Sequence, residues 1–200
     1  MATETNQALI VPRDLIWRLS VDNYHEMIHV GILTDDDPVE LIEGWLVTKM
    51  PKNPAHTLAT ENTRDGLAEI IPSGWFVRMQ EPITTEDSEP EPVVMVVRGK
   101  RQDYPDQHPG PADVALVVEV ADATLSRDRS LKLRMYARAR IAVYWILNLP
   151  DQQLEVYTVP EGAGDEATYR IQTIYRIDDH ALISIEGREV GQLTIRALLP

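Results

Sequence analysis

The stretch DVALVVEVADATLSRDRSLKL, residues 113–133, constrains what this chain can fold into more than any other. The apolar run from Ala115 to Val118 is short and rich in β-branched residues, so it reads as a buried strand. It stops at Glu119. An ionised carboxylate among valines is costly to bury unless a cation or hydrogen-bond donors meet it, and strand ends of α/β sheets are where ligands usually sit. A helix is expected next, capped by Ser126 and running to about Arg140. It carries Lys132, thirteen residues beyond Glu119, and a helix folding back over the sheet brings that ammonium to the carboxylate. Tyr136, one turn on, shares the Lys132 face. Strand alternation puts Asp113, Ala115, Val117 and Glu119 on one side and Val114, Leu116 and Val118 on the other.

Around this centre the pattern predicts a mixed α/β domain. Residues 1–19 read as a loose leader, and 20–200 as a single domain. SVDNYHEMIHVGI is a short helix with Ser20 as cap and Gly31 near its end, and VELIEGWLVTKM is two strands reversing at Glu43-Gly44. PAHTLATENTRDGLAEIIP is a second helix between prolines, followed by the strands GWFVRMQEPIT and VVMVV. RGKRQDYPDQHPGPA is a loop long enough to suggest function. AVYWILNL and QLEVYTV continue as strands, and TYRIQTIYRI, ALISI and LTIRALL are further strand-like pieces. The centre is thus helix, three strands, helix, strand, with β-hairpin additions at both ends.

Composition narrows the chemistry. Two hundred residues with 44% hydrophobic content suit one domain with a real core. No stretch reaches the roughly 18 to 20 apolar residues of a membrane span, and the first thirty residues lack a basic segment followed by an apolar one, so no membrane partner and a cytoplasmic location are expected. With no cysteine, any metal must be held by oxygen or imidazole. The net charge of -13 argues against coating a polyanion with the whole surface. Nine basic residues against six acidic ones between Arg98 and Arg140 nevertheless leave that segment at +3 and the remainder at -16. The helix from Arg127 to Arg140 is therefore a candidate face for nucleic acid, and a solvated helix surface explains the charges equally well.

Sharper patterns mostly fail. HEMIH, residues 25–29, fits the two-imidazole zinc pattern, but the helix is short, Gly31 ends it, and Ile32 stands where an extended pattern needs glycine. An amphipathic surface helix, with Tyr24, Met27 and Ile28 half-buried, accounts for it. Neither phosphate-binding glycine loop is present, nor a serine elbow. What remains is Glu119 with Lys132. Read as chemistry, a carboxylate and a backbone carbonyl holding Mg²⁺, with a lysine to position water or neutralise phosphate charge, is the equipment of phosphodiester hydrolysis. Read as structure, the same pair is a salt bridge pinning helix to sheet. Residue types alone do not separate the two.

The order of HEMIHVGILTDDDPVELIEGWLV, AHTLA, SEPEP, MVVRG, PADVALVVEVADATLSRDRSLKLRMYARARIAVYWILN and EVY resembles the Uma-two family of restriction-endonuclease-like proteins, from about residue 20 onward. That family is similar to the PD-(D/E)xK nucleases, whose core is a mixed sheet flanked by helices with Mg²⁺ at strand ends. The resemblance implies a restriction-endonuclease-like α/β (α+β) fold and a metal-dependent endonuclease using Mg²⁺ or Mn²⁺. It makes Glu119 and Lys132 the catalytic pair, Glu119 and the Val120 carbonyl metal ligands, and a homodimer a natural assembly. It also implies no zinc role for HEMIH. One departure matters: family members read E-P-D where this chain has Glu91-Pro92-Val93. An apolar side chain cannot hold a hard cation. The missing carboxylate would come from Glu91, Asp113 or Glu43, or the chain would be an inactive relative that binds nucleic acid or a protein.

Overall fold

The computed structural model describes residues 15–200. Most of the leader, 1–14, lies outside the described residues. Its last part does not hang free: the Leu19 N–H donates to the Gly44 carbonyl at 3.0 Å, and the Arg18 guanidinium stacks 5.7 Å from the Trp45 ring centre. Helix α1 (Val21–His29) begins where expected, because Ser20 and Asn23 exchange reciprocal side-chain bonds with each other's backbone N–H. Strands β1 (Val39–Ile42) and β2 (Trp45–Thr48) form the predicted antiparallel hairpin. Its turn places both Glu43 and Gly44 at positive φ. A Cβ on Gly44 would lie 2.6 Å from Arg18 Cβ. Gly44→Ala is therefore expected to lower unfolding free energy by about 2 kcal/mol, read from urea midpoints, because left-handed backbone and a blocked approach add.

Helix α2 (Pro54–Ile70), capped by Asn53, leads to a six-stranded sheet. Its strands run in order β3 (Trp75–Met79), β4 (Val94–Arg98), β5 (Val114–Ala121), β6 (Val143–Asn148), β7 (Gln153–Glu161) and β8 (Thr168–Arg176). All neighbours are antiparallel except β5 and β6, which are parallel and therefore need a helical crossover. That crossover comprises α3 (Leu125–Arg127), a π-helical turn (Asp128–Lys132) and α4 (Leu133–Arg138). It buries Met135 and Tyr136 against Val117, Tyr144, Ile146 and Tyr157 on one sheet face. The opposite face is covered by α2, the hairpin β9 (His180–Ile185) with β10 (Arg188–Thr194), and α5 (Ile195–Leu198). Among the described residues no helix is long and apolar enough to cross a membrane.

Three local expectations are corrected. The crossover helix starts at Leu125, with Thr124 at the cap position, so Ser126 is already helical and cannot cap it. LTIRALL is not one strand: β10 begins at Arg188 and ends at Thr194, and Ile195 to Leu198 turn helical to bury Ile195 and Leu198. Strict alternation along β5 also breaks. Val96 pairs Leu116 while Val97 pairs Val114, leaving Ala115 as a bulge. Ala115 consequently joins Leu116, Val118 and Val120 on one face, and Val114 joins Val117 on the other.

Candidate active site

The carboxyl end of β5 and the crossover helix form a partly enclosed cleft of about 130 Å³. Glu119, on β5, and Lys132, on the π-helical turn, are both buried, with the ammonium 2.9 Å from Glu119 Oε1. The Tyr136 hydroxyl donates to the same oxygen at 2.9 Å. The arrangement proposed from spacing is present, including Tyr136 on the shared helix face. In the π turn the Leu133 N–H reaches back to the Asp128 carbonyl, which also accepts the Tyr144 hydroxyl at 3.2 Å. Such turns recur at functional sites.

Two acids in this site were not foreseen. Glu40, from β1, points into the cleft with Oε1 3.5 Å from the Lys132 ammonium, while its Oε2 accepts the Glu91 backbone N–H at 3.1 Å. Asp128, also buried, accepts from Thr124 Oγ1 at 2.5 Å. A signal for each was available: a charge interrupting the apolar run of β1, and an acid four residues before Lys132 on one helix face. Burial of Glu119, partly offset by Lys132 and reinforced by the Asp128 and Glu40 charges, pushes its carboxyl up to about 7. Asp128 is raised as well, mainly by burial. Lys132 is held firmly charged: burial opposes its charge, but the carboxylates of Glu119, Glu40 and Asp128 outweigh it.

The other residues weighed for the site separate clearly. Val120 lines the cleft together with His56. Burial, aided by Lys52, lowers the His56 pKa. Glu91 lines the cleft too, with Oε1 2.5 Å from the Lys49 ammonium. Asp113 lies at the opposite end of β5, where Oδ2 accepts the Gly110 N–H at 3.0 Å, and it lines a different groove with His25 and Tyr104. Glu43 turns away from the cleft and clamps Arg134 and Arg138. Val93 is buried in the cleft wall. It stands one residue before β4 begins, packs in the cluster that holds Val94, Val118 and Val120, and lines the same cleft as Glu119.

The HEMIH helix is tied to the fold through one histidine. His25 Nε2 lies 2.6 Å from Glu89 Oε2, a buried carboxylate that Thr84 Oγ1 also meets at 2.7 Å. The cations of the crossover helix are likewise engaged internally. Arg129 pairs with Glu155, Arg134 with Glu43, Arg138 with Glu43 and Asp87, and Arg140 donates to the Pro160 and Gly162 carbonyls. Arg127 donates to the Thr48 carbonyl at the cleft rim. Arg134→Ala is accordingly expected to lower stability by about 2 to 3 kcal/mol in chemical denaturation, because it strips a half-buried charge pair.

A six-stranded mixed sheet with a parallel β5–β6 pair, a helical crossover between them and helices on both faces is the architecture of a nuclease-like fold. The model of the Uma2 family, described as "Putative restriction endonuclease", matches residues 21–186, and the chain belongs to that family. Among solved structures, the fold is similar to that of a protein from Anabaena variabilis ATCC 29413 described as a "putative nuclease belonging to DUF820". The TM-score is 0.62 at 14% identity, over 90% of this chain and 97% of that one. No curated protein matches the chain.

Proposed function

We propose that this chain is a nuclease-fold protein whose phosphodiester-cleaving centre is silenced at Val93, and that the cleft retains the ability to engage nucleic-acid phosphates. The observation that carries this reading is the buried Val93 side chain in the wall of the cleft that Glu119 also lines. A hard divalent cation requires several oxygen donors, and an isopropyl group supplies none. The rest of the donor set agrees. Among the described residues, no three His, Asp or Glu side chains converge as ligands of one ion. The Lys132 ammonium stands between Glu119 and Glu40. As it stands, the donor set does not fit Mg²⁺ or Mn²⁺.

Phosphate contact falls instead to the rim, where Lys52 and Arg127 line the cleft opening. Burial and the neighbouring Lys49 pull the Lys52 ammonium below its ordinary range, against Glu91. Binding through so few cations should be weak and should fall steeply with salt. The deciding experiment compares the parent with Val93→Asp, measuring Mn²⁺ binding by calorimetry and cleavage of single- and double-stranded DNA. Metal binding and cleavage in the variant alone support the silenced-centre reading. A parent that already binds Mn²⁺ and cuts removes it and restores the active metal-dependent endonuclease. If neither does either, the likeness to nucleases ends at the fold.

A further inference from the structure

We infer that Glu40 and Glu119 form a cation site whose occupant is the chain's own Lys132 ammonium, and that this internal cation keeps divalent metal out of the cleft. The inference deepens the silenced-centre reading and rests on it. Lys132, Glu119 and Glu40 have side chains only 4%, 4% and 3% exposed, so none of the three is solvated in any ordinary sense. Two carboxylates this deep require a positive charge between them. The ammonium meets that need at 2.9 Å from one and 3.5 Å from the other. Of the other cations lining the cleft, Lys49 is paired with Glu91, Lys52 feels the same Glu91 charge, and Arg127 donates to the Thr48 carbonyl.

The remaining oxygens are arranged around the same occupant. Glu40 Oε2 is turned to the Glu91 N–H, which leaves Oε1 for Lys132. Glu119 Oε1 takes both Lys132 and the Tyr136 hydroxyl. Nor can the lysine swing aside at little cost, because Met135 and Tyr136, which follow it on the helix, are fully packed in the core. A divalent ion seated on Glu40 and Glu119 would therefore sit against a fixed positive charge. The same lysine that a phosphodiesterase would use beside its metal stands here in the metal's place.

The test uses the whole chain as parent, Lys132→Met and the double variant Lys132→Met/Glu119→Gln, each melted in EDTA and in Mn²⁺ and titrated with Mn²⁺ by calorimetry. The parent should show one melting temperature in both media and no saturable heat. Lys132→Met should melt lower in EDTA, bind one Mn²⁺, and regain much of the loss in its presence. The double variant, with one buried charge fewer, should regain stability in EDTA and bind no metal. The inference is overturned if the parent binds one Mn²⁺ with Lys132 in place, or if Lys132→Met keeps its melting temperature and ignores metal. Should Lys132→Met fail to fold in either medium, the double variant decides: folding in EDTA supports the counter-ion role, and failure there assigns Lys132 to packing and overturns it. Because Val93→Asp reads residue 93 separately, an inert Val93→Asp beside a metal-binding Lys132→Met would keep the cleft a silenced centre and assign the silencing to Lys132 and not to Val93.

Discussion

Val93→Asp is expected to destabilise the protein in EDTA, to bind Mn²⁺, and to cleave DNA at least ~10²-fold faster than the parent once metal is added. The first effect follows from burial. The side chain at this position is 8% exposed, and a carboxylate placed there joins Glu40, Glu91, Glu119 and Asp128 in one cleft. Repulsion and desolvation together should cost several kcal/mol without metal. The second effect reverses the first, since the added carboxylate gives the cleft more negative charge than the one Lys132 ammonium balances, and a ligand that binds only the folded state stabilises it in proportion to ln(1 + [L]/Kd). The third is a transition-state effect. Charge stabilisation of ~3 kcal/mol by a Lewis-acidic ion corresponds to a rate gain of ~10²-fold. Melting curves in EDTA and Mn²⁺, with gel assays of single- and double-stranded DNA, read all three. A variant that melts like the parent in both media and cuts nothing would show that Val93 is not what separates this cleft from a working one.

Glu119→Ala should lose about 3 to 5 kcal/mol of unfolding free energy at pH 7, because it strands a buried ammonium and removes the acceptor of Tyr136. Glu119→Gln should lose less, since its amide oxygen still accepts both bonds. The two also differ in pH dependence. Burial raises the folded-state pKa of Glu119 from 4.5 to about 7, so the folded protein holds a proton that the unfolded chain has released. Between those two values the folded state binds more protons, and parental stability therefore falls as pH rises from about 4.5 to about 7. Below that window the contribution is fully present, and above it none is left to lose. Glu119→Gln should flatten this slope by up to ~3 kcal/mol across the window. Urea unfolding of parent and variant at pH 4.5, 5.5, 7 and 8 measures it, and parallel profiles would place the titration elsewhere.

Much of the candidate site was legible because its signals are local. A buried strand ending in a carboxylate, and a helix returning over it with Lys132 and Tyr136 on one face, follow from alternation and helical periodicity within some twenty residues. The hairpin turn at Glu43-Gly44 and the Ser20 cap were legible for the same reason. The family resemblance added the significance of Val93, which composition and spacing could not supply.

Other features depended on partners distant in the chain. Glu40 enters the site because the β1–β2 hairpin is held over the crossover helix, where Glu43 at its turn binds Arg134 and Arg138. The bulge at Ala115 arises from the register between β4 and β5, and neither strand declares it alone. Asp113 went to the opposite end of β5 because one residue carries the strand only ~3.4 Å, so six residues separate two ends of a sheet. The basic helix reads as an open row of charges in one dimension, yet Glu43, Asp87 and Glu155 arrive from three other segments to pair with Arg129, Arg134 and Arg138. The sequence by itself determined the elements and the Glu119–Lys132 pair, since short-range backbone geometry dictates both. Tertiary packing alone decided which charges meet, because pairing in a low-dielectric interior depends on distances that only the folded chain sets.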